Sequence, residues 1–170
     1  MPYLRVEAGN RITIPDDIVR QLGLKPGQMV EVRFPAPVTG RGLGTTAQWR
    51  HLANQRLDDA TVLLVSRKRR YNGAVYLGGY AIECSLKAAI CILKNLPTLP
   101  EEYKTHALDD LLTAAGLKLP NHLVRKFLVI NSWSVDIRYQ ASTWKAQDAK
   151  KFLEYVREVK QWIEMETLPG

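Results

Sequence analysis

From Tyr71 to Asn95 the chain runs without a proline, a stretch of about 36 Å if helical throughout. On a helical wheel Val75, Ala81, Ile82, Leu86, Ala89, Ile90, Ile92 and Leu93 cover most of the circumference. A helix that is apolar almost all round has to be surrounded by other elements rather than laid on a surface. Whatever else the chain does, it must build a bundle around this helix. One narrow stripe differs: Tyr76, Tyr80, Glu83, Lys87 and Lys94 share a side, with Glu83 and Lys87 at the favourable i, i+4 spacing. Two readings follow from the stripe. It is a half-exposed seam carrying a surface ion pair, or it lines a groove inside the bundle where the two charges position a ligand.

The segments on either side agree with a bundle. Ala47–Arg70 repeats Trp49, Leu52, Ala53, Arg56, Ala60, Leu63 and Leu64 on three- and four-residue steps, and its short connection to Tyr71 predicts an antiparallel hairpin of long helices. Leu96–Pro100 forces a loop, His106–Ala115 reads as a short helix, and Asn121 is placed to cap a helix over His122–Ser132. Ser134–Thr143 has no clear period. Lys145–Glu166 is an amphipathic helix with Phe152, Tyr155, Val156, Val159, Trp162 and Ile163 inward. Residues 1–35 read otherwise: strands at 3–7 and 11–14, a helix opened by Pro15-Asp16-Asp17 and stopped by Gly23, then a strand over Met29–Phe34. The expected class is therefore α+β, a β-rich domain at 1–35, a proline- and glycine-rich linker at 36–46, and a helical bundle at 47–166. So small a β unit cannot bury enough surface alone, which predicts a homodimer.

Net charge is +7 with a pI near 9.5, a balance that favours polyanionic partners without naming one. Residues 1–35 carry five basic and four acidic side chains, so most of the excess lies beyond them. Much of it is the single run Arg67-Lys68-Arg69-Arg70, which reads either as a solvated helix end or as a nucleic-acid patch. Cys84 and Cys91 fall near 10 Å apart along one helix, too far to pair, and suit a reducing cytoplasm. The three histidines, His51, His106 and His122, lack metal-ligand spacing, and neither a metal nor a cofactor is expected. No charged-then-apolar leader opens the chain, and Glu83 and Lys87 interrupt its longest apolar run. Neither a signal peptide nor a membrane span is expected.

The stretch RVEAGNRITIPDDIVRQLGLKPGQMVEVRF resembles the AbrB/MazE/SpoVT family of swapped-hairpin DNA-binding domains, through Arg11-Ile12-Thr13-Ile14-Pro15, Leu22-Gly23-Leu24 and Pro26-Gly27. The resemblance implies an interleaved dimer that presents arginines to DNA. Carried onto this chain, Arg11 is the loop arginine, Arg20 a helix arginine and Arg5 a contact from the first strand, with Asn10 and Thr13 beside them. Gly9-Asn10 stands where the family has lysine-glycine or leucine-glycine.

Residues 47–166 resemble the HEPN family (higher eukaryotes and prokaryotes nucleotide-binding). The residues that carry the likeness are Gly79-Tyr80-Ala81-Ile82-Glu83-Cys84-Ser85-Leu86-Lys87-Ala88, His106-x-Leu108-x-x-Leu111, Asp136-x-Arg138-Tyr139 and the closing helix ending in Trp162-Ile163. The family implies an up-and-down helical bundle that cleaves RNA as a toxin, binds nucleotides or partners a nucleotidyltransferase. Its nucleases carry an arginine followed a few residues later by a histidine, a pair suited to metal-free cleavage: the histidine moves a proton and the arginine stabilises charge on the phosphate. Arg138 fits the first role, but Thr143, Trp144 and Lys145 stand where the histidine belongs. His106, read as a core or capping residue, is the non-standard substitute.

The expectation is thus a dimeric DNA-binding regulator, or a toxin–antitoxin component, with a bundle that is not a nuclease of the usual kind. The alternatives are a metal-independent endoribonuclease using Arg138 with His106, and a bundle that holds a nucleotidyltransferase or antitoxin chain. Tyr80, Glu83, Lys87, Asp136, Arg138 and Tyr139 form the expected nucleotide or RNA groove, with Glu83 paired to Arg138 if the loop folds over the long helix.

Overall fold

The computed structural model describes residues 5–7, 11–13, 16–25, 44–140 and 144–168. The chain divides into two compact units, Met1–Pro37 and Val38–Gly170. In the first, strand β1 (Arg5–Glu7) pairs antiparallel with β2 (Arg11–Thr13), Arg5 opposite Thr13 and Glu7 opposite Arg11. Helix α1 follows at Asp16–Leu22. It ends on Gly23, whose φ of +62° suits a residue without a Cβ.

The expected α+β class does not hold. Among the described residues extended pairing is confined to two strands of three residues each, too little apolar surface to form a sheet layer. The architecture is that of an all-helical bundle. The strand expected over Met29–Phe34 and nearly all of the expected linker lie outside the described residues, and so does Asn10.

In the second unit, α2 (Thr46–Val65) opens on a capping box. The Thr45 hydroxyl accepts from the Gln48 N–H at 3.3 Å, and Gln48 Oε1 accepts from the Thr45 N–H at 2.8 Å. The helix stops at Val65, short of the expected Arg70, so the basic run forms the turn into the next helix. Helix α3 (Tyr71–Leu93) is the centre of the bundle. Helices α2, α4 (Leu108–Ala115) and α6 (Ala146–Glu166) pack on it, as does a 3-10 turn over Val135–Tyr139. Helix α5 (Asn121–Asn131) packs on α6. Asn121 is the first residue of α5, and Pro120, not Asn121, takes the cap position.

Close approach to α3 is possible because two glycines sit where the partners come nearest. A Cβ on Gly78 would strike Leu153 of α6, and one on Gly79 would strike the Trp133 ring. Every residue from Ala81 to Ile90 is buried. By length and composition α3 could cross a membrane, but it is a core helix whose apolar surface other helices already cover.

Candidate functional site on the central helix

Glu83 lies in the buried half of α3 and is 1% exposed. A carboxylate in such surroundings is costly unless each oxygen finds a partner. Oε1 receives the Lys87 ammonium at 2.6 Å, one helical turn on. Oε2 lies 2.9 Å from Nδ1 of His106. An ionised carboxylate only accepts, so Nδ1 carries the proton in this contact and Nε2 is left as the ring's acceptor. The His106 side chain is 60% exposed. It precedes α4 in a turn held by Thr105, whose hydroxyl accepts from the Ala107 N–H at 3.1 Å. The expected core or capping histidine is neither: one ring nitrogen touches a buried acid while the ring faces solvent.

The seam reading of the Glu83–Lys87 pair is also overturned, since Lys87 is 4% exposed. Its ammonium sits 5.1 Å from the centre of the Trp49 ring on α2, a cation–π contact that partly replaces lost hydration. Trp49, Gly44, Gln48, His51 and Leu52 line a cleft of about 350 Å³.

Toward the start of α3 the same stripe has a different character. Tyr76 and Tyr80 lie 6.5 Å apart, Trp133 packs 6.2 Å from Tyr76, and the Trp133 indole N–H donates to the Tyr76 carbonyl at 3.1 Å. The Arg56 guanidinium lies 5.8 Å over the Tyr80 ring. Burial pushes the Tyr80 hydroxyl above its usual pKa, helped by Cys84 and Glu83 and opposed by Arg56. Burial, with Glu83 alongside, pushes the Cys84 thiol up to about 12.

Arg138 does not pair with Glu83. It stacks 4.7 Å from the centre of the Tyr139 ring and interacts with the Tyr76 hydroxyl. Tyr139 is 75% exposed. Asp136 is exposed in the first half of the 3-10 turn, its N–H donating to Ser134 Oγ at 3.2 Å. The expected groove therefore separates into a Glu83–Lys87–His106 cluster and a Tyr76–Arg138–Tyr139 platform, with Tyr80 between them on α3. Among the described residues no group of three or more His, Cys, Asp or Glu could hold a metal ion.

A family model for the HEPN domain matches residues 46–166. The chain belongs to the HEPN family. No curated protein and no solved structure matches it. Within this HEPN bundle, sequence reasoning placed Glu83 and Lys87 together on one stripe with Tyr76, but missed His106 as the third member of the cluster and Trp49 as its support. The available signal was the carboxylate itself: on a helix that is apolar all round, Glu83 has two oxygens to satisfy and Lys87 serves only one. The predicted N-terminal contacts are spread over the other unit. Arg5 lies on β1, Arg11 and Thr13 lie on β2, and the exposed Arg20 on α1 donates from Nε to the Asp16 carbonyl at 3.2 Å.

Proposed function

We propose that the protein cleaves RNA without a metal, as a toxin-type HEPN ribonuclease in which His106 moves the proton. The observation that carries this reading is the 2.9 Å contact of His106 Nδ1 with the buried Glu83. A carboxylate that accepts a hydrogen bond from Nδ1–H fixes the ring's tautomer and leaves Nε2 to act as base. The ribose 2′-oxygen attacks the adjacent phosphorus and its proton passes to Nε2. The bond from phosphorus to the 5′-oxygen breaks, and the imidazolium returns the proton to that leaving oxygen. The products are a 2′,3′-cyclic phosphate and a 5′-hydroxyl end. Glu83 is a positioning residue that acts through His106.

Arg138 is assigned to substrate holding, not to the reacting phosphate. Tyr76, its contact on α3, and Glu83 share a helix face about 10 Å apart along the axis, so a bound strand would lie over both. Incubation of single-stranded RNA with the full chain in a chelator tests the reading. His106→Ala should slow cutting at least ~100-fold, whereas Arg138→Ala should raise KM more than it lowers kcat. Wild-type protein that does not cut, or cutting that His106→Ala leaves intact, would overturn it.

A second reading concerns residues 1–35, where an AbrB-like swapped-hairpin dimer would bind duplex DNA through Arg5, Asn10, Arg11, Thr13 and Arg20. The antiparallel β1–β2 ribbon followed by α1 supports it, since that is the order the resemblance implies. Binding to promoter fragments should fall steeply with salt and weaken in Arg11→Ala. Salt-independent or undetectable binding would reject it.

A further inference from the structure

We infer that the turn between α2 and α3, together with the Arg138–Tyr139 platform, is the surface on which single-stranded RNA enters the site. Arg67, Lys68, Arg69 and Arg70 are all exposed. Among the described residues no carboxylate pairs with any of the four. The solvated-helix-end reading fails on geometry, because α2 ends at Val65 and the run is a turn with Arg69 in the left-handed region at φ 51°. The α2 dipole favours cations after its last residue, but Arg70 takes the N-cap position of α3, whose first turn holds no acid, so the second dipole opposes them. Four like charges with no internal compensation raise the local potential and draw a polyanion.

Asn72 joins this turn to the platform. Its amide Nδ2 donates to the Gln140 carbonyl at 3.3 Å, and its Oδ1 accepts from the Trp144 N–H at 3.1 Å. Gln140, next to Tyr139, and Trp144 are thereby both tied to a side chain two residues from Arg70, with the exposed Lys145 next to Trp144. The only acid of the 3-10 turn is Asp136. The surface thus combines a row of cations with an exposed tyrosine on which an arginine is stacked. That is the combination that holds a single strand, the cations tracking the phosphates and the ring taking a base. A duplex keeps its bases stacked inside and has none to offer Tyr139.

The inference rests on the RNA reading above, but not on the chemistry at His106. Its test is therefore binding, measured in His106→Ala with a labelled uridine 12-mer at several salt concentrations. Changing Arg67, Lys68, Arg69 and Arg70 together to Gln should weaken binding at least tenfold and flatten the slope of log K against log salt by about 3. Tyr139→Ala alone should weaken it about tenfold without changing that slope. Affinity and slope unaltered by the four-site change would overturn the inference, as would a DNA duplex competing equally for the same four residues. If RNA binds through this surface yet the wild-type protein never cuts it, the ribonuclease reading fails and the entry surface stands. If RNA is cut but the four-site variant binds it equally well, the reverse holds.

Discussion

His106 reaches 2.9 Å from Glu83 across a separation of twenty-three residues, and this contact gives the second oxygen of a buried acid its partner. The carboxylate is held from both sides, by Lys87 at 2.6 Å and by the histidine ring. Neither partner alone would satisfy both oxygens.

Removing one charge of the buried pair should cost more than removing both. Lys87→Met or Glu83→Gln should each destabilise the chain by about 3–5 kcal/mol, because each leaves an unmatched group inside. The double variant should recover a large part of that loss. Urea denaturation of the four proteins forms the double-mutant cycle. Additive losses would mean that the ammonium and the carboxylate are not coupled.

Gly79 tests the close packing beneath the platform. Alanine improves helix propensity by about 1 kcal/mol, but its Cβ would strike the Trp133 ring, and overpacking costs about 1–3 kcal/mol. The clash involves a rigid indole that already donates to the Tyr76 carbonyl, so the overpacking should win. We expect Gly79→Ala to lower the melting temperature and to weaken RNA binding by displacing Tyr76. An unchanged or raised melting temperature would contradict this packing.

Much of the bundle was legible because one period dominates it. The buried face of α3 and the inward side of α6 follow directly from apolar residues at helical steps. Phe152, Val156, Val159, Trp162 and Ile163 are all buried as expected, while Tyr155 is partly so. Periodicity said less about where helices end, and α2 stops before its basic run because the chain turns there. The site was half legible. Glu83 and Lys87 share a helix, so their spacing exposes them, whereas His106 arrives from a separate loop that no local pattern links to α3. The β-rich head was inferred from alternation over a few residues, a signal too short to decide a fold class.

Alkaline pH should weaken the fold through Cys84. Burial holds its thiol neutral up to about 12 in the folded chain, against 9.0 for an unperturbed group. Above pH 9 the unfolded chain releases this proton and the folded chain does not. The stabilisation is therefore complete below pH 9 and drains away as pH rises toward 12. Tyr80, raised in the same direction by burial, adds to the effect. Urea midpoints measured from pH 8 to 11 should fall more steeply for the wild type than for Cys84→Ala, by up to about 1 kcal/mol per pH unit. Parallel curves would show that the thiol is not held neutral.

The most direct test of the account is chemical rescue at His106. His106→Gly should cut single-stranded RNA at least ~100-fold more slowly than wild type, and added imidazole should restore cutting in proportion to its concentration, leaving cyclic phosphate ends. Cutting that needs neither His106 nor imidazole, or an inactive variant that imidazole fails to revive beside an active wild type, would contradict the assignment of proton transfer to this ring.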